Sequence, residues 1–129
     1  GTIEGGWQVK WFHEDEFRCQ HCGKEGIQPE FSATMDRIRD ELPGDGFPLI
    51  ISSGYRCAEH DLEKSKKVKG AHTTGWACDI ALSGAQALDL IETAMKFGIK
   101  RIGVAQSGDA RFIHLDQAPN FPSPAIWSY

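Results

Sequence analysis

The sequence predicts an α+β fold, a small antiparallel sheet flanked by helices. Three observations carry this. Two stretches place apolar residues at helical spacing, four short runs have the length and patterning of strands, and two of those runs are close enough to form a hairpin. With 129 residues the chain has the size of one domain with a real core. Residues 1–129 are therefore read as a single domain, with 1–10 and 119–129 as irregular tails.

The elements follow in order. Phe31-Ser-Ala-Thr-Met-Asp-Arg-Ile-Arg-Asp-Glu-Leu42 repeats apolar residues at Phe31, Met35, Ile38 and Leu42, and Pro43-Gly44 ends the helix. Leu49-Ile-Ile-Ser-Ser53 is a short apolar run that reads as a strand. Ala58 to Lys69 is polar, begins helical and opens into a basic loop. Trp76-Ala-Cys-Asp-Ile-Ala-Leu82 alternates as a strand, with Asp79 on one face and Cys78 and Ile80 on the other. Ala85 to Phe97 is the strongest helix, and Gly98 is its stop. Ile102–Ala105 and Arg111–Asp116 are strands joined across a Ser-Gly-Asp turn. The tail from Pro119 holds three prolines, and Trp127 and Tyr129 are expected to pack it down.

Bulk properties exclude several functions. At 40 % hydrophobic and 25 % charged residues the chain has the composition of an ordinary globule. A formal charge of −4 argues against nucleic acid as the main partner. No run of about 18 apolar residues suggests a membrane span. No basic, apolar and small-residue leader is visible. The chain is expected to act as a monomer.

The chemistry concentrates in two segments, Gly70-Ala-His-Thr-Thr-Gly-Trp-Ala-Cys-Asp-Ile80 and Phe112-Ile-His-Leu-Asp116. His72, Asp79 and His114 supply two imidazoles and one carboxylate. That set holds a zinc ion and leaves its fourth position open for water or substrate. A closed structural site more often uses four ligands, mostly thiolates. Gly75 and Ala77 lie between the first two donors, where small residues let backbone pass close to a metal. His114 and Asp116 are two apart on one strand and share a face. Neighbouring strands can therefore present Asp79, His114 and Asp116 to one pocket.

The cysteines leave several readings open. Cys19-Gln-His-Cys22-Gly is a knuckle-like pair able to give two ligands to a second, structural zinc. Only Cys57 and Cys78 could add further thiols. Disulfides and buried thiols are the alternatives, and a buried thiol is favoured for Cys78.

The pattern His72-x-x-Gly-x-Ala-x-Asp79 with His114-x-Asp116 downstream resembles the zinc D-Ala-D-Ala carboxypeptidases and their relatives. These include phage endolysins that cut the L-Ala–D-Glu bond, vancomycin-resistance dipeptidases and the hedgehog signalling domain. Ser53-Gly-Tyr-Arg56 matches the family's Ser-Gly-Tyr-Arg segment. Trp11-Phe-His-Glu-Asp-Glu-Phe-Arg-Cys19 resembles the Phe-Ser-x-x-Glu-Phe-x-Cys opening of its small phage-type branch. The resemblance runs from about Trp11 to about Asp116.

It implies a hedgehog/DD-peptidase-like fold, zinc on His72, Asp79 and His114, and Arg56 as the arginine that binds substrate and stabilises an oxyanion. The implied activity is hydrolysis of a peptide bond in the murein stem peptide, by an L-Ala–D-Glu endopeptidase or a D-Ala-D-Ala carboxypeptidase. Action on the cell wall, periplasmic or extracellular, follows, with export through a holin-like or phage-lysis route. Two places depart from the family pattern. Gly70 stands where a serine is frequent, and Arg111 where many members carry an acidic general base. The base is assigned instead to Asp116, with Asp109 next. Asp116 has an equal reading as a carboxylate that orients a ligand histidine. Two other functions stay open, a zinc-stabilised binding domain without catalysis and a small D,D-dipeptidase. The basic run Lys64–Lys69 lies beside the site and could attract acidic stem-peptide carboxylates.

Overall fold

The computed structural model describes residues 10–44, 46–60, 62–65 and 70–129. Residues 1–9, Asp45, Asp61 and the Lys66–Lys69 part of the basic run lie outside the described residues. Helix α1 spans Pro29–Glu41 and α2 spans Gly84–Lys96. The strands are β1 (Ile51–Ser53), β2 (Ala77–Ile80), β3 (Arg101–Ala105), β4 (Phe112–Asp116) and β5 (Ala125–Ser128). Their order across the sheet is β1-β2-β4-β3-β5.

Helix α1 begins two residues before the predicted start because Pro29 takes a first-turn position, where its missing N–H costs nothing. Phe31, Met35 and Ile38 are fully buried along one face, and Leu42 follows at the extended cap. Pro43 then disfavours helix at Leu42. Helix α2 buries Ala87, Leu90 and Ala94 on one face, and Gly98 at φ 84° provides its left-handed exit. Both faces join Cys78, Ile80, Ile102, Ile113 and Leu115 in one apolar cluster. Burying each large side chain there stabilises the fold by about 1.5–3 kcal/mol.

Strand alternation assigns the opposite face of the sheet to Asp79, His114, Asp116 and Arg101. The pairing sets them in two rows. Asp79 lies opposite His114, His114 opposite Gly103, and Gly103 opposite Trp127. One row behind, Ala77, Asp116, Arg101 and Ala125 are partners in the same way.

Three expectations need correction. The sheet is mixed, because β5 runs parallel to β3 while the other pairs are antiparallel. The segment 119–129, expected to be irregular, holds that strand. Arg101 fastens it, donating through Nη1 to the Pro122 carbonyl at 2.6 Å, with Phe121 and Trp127 stacked on its guanidinium. The region after Ala58, expected to begin helical, forms only turns among the described residues, closed by Cys57, His60 and Glu63 backbone bonds.

Gly103 makes the seat for β5. A Cβ there would lie 2.6 Å from Trp127 Nε1 and 2.9 Å from Tyr129 Cε2. Gly103→Ala should therefore push both rings off the sheet and destabilise the protein by about 1–3 kcal/mol, as overpacking does. Urea unfolding checks this. An unchanged midpoint would mean that the rings give way without cost.

Candidate metal centre

His72 sits in a short 3₁₀ turn, Ala71–Thr74, that leads into β2. The chain leaves this turn through Gly75 at φ 82°, a left-handed conformation that favours glycine. A Cβ at Gly75 would strike the Gly26 carbonyl oxygen, and the Gly75 carbonyl accepts from Gln28 N–H at 2.8 Å. Gly75 is thus small because the backbone of 26–28 passes it, not because it approaches the metal donors. Gly54 is small for a similar reason, since a Cβ there would lie 2.6 Å from the Phe17 carbonyl oxygen. The opening segment therefore braces Ser53-Gly-Tyr-Arg56 through buried Phe17, whose carbonyl accepts from Tyr55 N–H at 2.8 Å.

The structure brings His72, Asp79 and His114 together. Their donor atoms all lie within 4.8 Å of one another, and all three residues are buried. Asp79 Oδ1 is 3.2 Å from His72 Nε2 and 2.9 Å from His114 Nδ1. Donors on a tetrahedral zinc with bonds of ~2.1 Å stand roughly 3.4 Å apart, so these spacings fit the ion.

The outer nitrogens of both rings are engaged. His72 Nδ1 is 2.7 Å from the Gly54 carbonyl. A carbonyl only accepts, so Nδ1 carries the proton and Nε2 faces Asp79. His114 Nε2 is 2.5 Å from Asp116 Oδ2, which leaves Nδ1 for the metal side. Both arrangements are the second bond that orients a metal-binding histidine.

Asp116 does not face the cavity. It is fully buried behind His114 and accepts from Arg101 Nε at 2.6 Å and Ala118 N–H at 3.1 Å. The expectation that it shares one pocket with Asp79 and His114 fails for that reason. Sharing a face with His114 did not place it beside the metal donors, because it occupies the row behind them. Asp109 is exposed and lines a separate cavity with Gln86 and Arg111.

The metal donors line a cavity of about 580 Å³, together with Arg56, Phe121, Trp127 and Tyr129. Arg56 is held on three sides. Its Nε donates to Ser53 Oγ at 3.1 Å, Nη1 pairs with Glu63 Oε2 at 3.2 Å, and Nη2 lies 3.5 Å from Asp79 Oδ2. Glu63, fully buried, also accepts from Gly70 N–H at 2.8 Å. Trp127 packs beside His114 with ring centroids 5.2 Å apart. Sequence reading missed Glu63, Arg101 and the wall formed by Trp127 and Tyr129. A signal for the wall existed, since Trp127 and Tyr129 alternate with period two.

Charge follows geometry. Burial pushes the Asp79 carboxyl upward, but hydrogen bonds from His114 and His72 overcome it and hold the group well below the usual carboxylate range. Burial would lower the His114 imidazole, yet its bonds to Asp116 and Asp79 raise it above 6.5. Burial and the two nearby carboxylates push the Cys78 thiol well up, and it lies in the apolar core as an inert buried thiol.

Residues 10–116, most of the chain, match the family described as peptidase M15. The chain belongs to that family. It is a metallopeptidase, and membership implies zinc peptidase activity on peptidoglycan-like substrates. M15 peptidases are zinc-dependent, and the His72, Asp79 and His114 cluster is a candidate site for the ion. No curated protein and no solved structure matches the chain. No helix among the described residues is long and apolar enough to cross a membrane.

Zinc binding requires His114 to give up its Nδ1 proton. Because its pKa is raised, protons compete at higher pH than for an ordinary histidine. Affinity is full above the raised pKa and falls as pH drops through it. Asp79 adds no competing proton until far more acidic conditions. A chelator competition titration from about pH 8.5 to about pH 5 should show the decline beginning above ~6.5. A flat profile down to about pH 6 would remove His114 from the ligand set.

Proposed function

We propose that this metallopeptidase hydrolyses a peptide bond in the murein stem peptide, as an L-Ala–D-Glu endopeptidase or a D-Ala-D-Ala carboxypeptidase, and that it acts on the cell wall. One observation carries this reading. The three metal donors and a fixed arginine converge on one cavity of a size suited to a short peptide.

Zinc bound there would polarise the scissile carbonyl and lower the pKa of its water to ~7. His72 Nε2, Asp79 Oδ1 and His114 Nδ1 are the atoms we assign to hold it. Arg56 presents a charge-fixed donor next to Asp79, able to take a substrate carboxylate or developing oxyanion. Glu63 and Ser53 keep its guanidinium from swinging away. Phe121, Trp127 and Tyr129 line the same cavity and offer apolar surface to small alanine side chains.

Asp116 takes a positioning role in this reading rather than that of general base. Its carboxylate fixes the His114 ring, and Arg101 fixes the carboxylate. Neither Asp116 nor Asp109 lines the cavity where a proton would be taken up.

Purified murein incubated with the zinc-loaded protein, with and without chelator, tests the activity. Mass spectrometry should show chelator-sensitive products with either new D-Glu amino termini or lost terminal D-Ala. No metal-dependent product would sink the proposal. Arg56→Lys should keep zinc while kcat falls by ~10²–10³, the usual cost of removing one oxyanion donor. Asp116→Asn should weaken zinc affinity ~10–100-fold, the usual effect of losing such a partner. Full zinc affinity with lost activity would restore Asp116 as the base.

A further inference from the structure

Three of the four cysteines gather away from the His72 site. Cys19, Cys22 and Cys57 have sulfur atoms that all lie within 4.8 Å of one another. Thiolates on a tetrahedral zinc with bonds of ~2.3 Å stand roughly 3.8 Å apart, so little movement is needed to close on an ion. Cys19 and Cys22 lie on a tight turn. Gly23 N–H donates to the Cys19 carbonyl at 2.7 Å, Cys19 N–H donates to Lys24 O at 3.0 Å, and Gly23 at φ 72° takes the left-handed place. Cys57 arrives from 38 residues away, and its own N–H points at Cys19 Sγ at 3.3 Å.

Burial does not explain this gathering. Cys78, fully buried in the apolar core, is a thiol used as a small hydrophobe. Cys22 is exposed and Cys57 only half-buried, so no apolar gain draws them to Cys19. A disulfide would join two of the three and leave the third thiol unmatched. Two imidazoles belong to the same segments. His21 lies between Cys19 and Cys22, His60 lies three residues after Cys57, and their ring centroids are 6.4 Å apart.

We infer that Cys19, Cys22 and Cys57, with one imidazole of the His21 and His60 pair, form a second, structural zinc site. Three soft thiolates and one imidazole select zinc and fill its tetrahedron, leaving no place for water or substrate. The ion would tie the opening segment to the residue directly after Arg56. This site stands or falls apart from the activity proposed above, since it uses none of the same donors.

Zinc content of the wild-type chain, prepared under reducing conditions, should be two per chain. The His72→Ala, Asp79→Ala, His114→Ala triple variant should keep one, and its cobalt-substituted form should retain thiolate charge-transfer absorbance. Cys57→Ser should lose one zinc, whereas Cys78→Ser should keep both. The His21→Ala, His60→Ala double variant should lose the tetrahedral cobalt spectrum, and an unchanged spectrum would take the imidazole out of the site. Wild-type protein needs no variant for a second measurement. Native alkylation read by mass spectrometry should spare Cys22 and Cys57 with zinc present and label both after chelation. A single zinc per wild-type chain, equal labelling with and without zinc, or a Cys22–Cys57 disulfide would overturn the inference.

Discussion

A buried carboxylate with two imidazoles on one of its oxygens is the constraint around which this protein is arranged. Asp79 is only 6 % exposed, and removing a carboxylate from water is costly unless opposite charge and hydrogen bonds replace the solvent. His72 and His114 meet Oδ1, and Arg56 stands near Oδ2. Hydrogen bonds from the two imidazoles and the charge on Arg56 replace the water that Asp79 has lost. A zinc ion would occupy the same focus and displace a proton from His114. Proton and metal are thus alternative occupants of one electrostatic well.

The rest of the fold holds that well in shape. Pairing of β2 with β4 fixes the Asp79 to His114 separation, and a one-residue slip of β2 would turn Asp79 toward the helices. The Gly54 carbonyl sets the His72 ring, and Gly54 itself is set by the Phe17 backbone beneath it. Asp116 and Arg101 set the His114 ring from behind. Each donor therefore has a rigid support from a different part of the chain. Such pre-organisation keeps a reactive site precise.

Much of this was legible in the sequence, for definable reasons. Helices α1 and α2 were readable because Phe31, Met35, Ile38 and Ala87, Leu90, Ala94 repeat with the helical period. Strands β2 and β4 were readable because Cys78, Ile80, Ile113 and Leu115 alternate with polar partners. The metal donors stood out by residue type and spacing. What failed was distance in the third dimension. Nothing local says that Asp116 lies one row behind His114, that Glu63 meets Arg56, or that Cys57 reaches Cys19. These depend on register and on turns between segments. Strand β5 was hidden by the prolines before it, which signal irregular chain and say nothing of the four residues that follow. Gly75 was noticed for its size but explained by the wrong neighbour.

Strand β5 lies beyond residue 116, where the family match ends, yet it carries Trp127 beside His114. The donors and the fitting surface therefore occupy separate stretches of the gene. Exchange of a side chain at 127 or 129 would reshape the cavity and replace none of the three metal donors. A mutation of this kind changes what the site accepts while the donor set stays the same. The parallel edge strand is, in that sense, an adjustable jaw on a fixed vice. Gly103 supplies the room in which the jaw can be refitted.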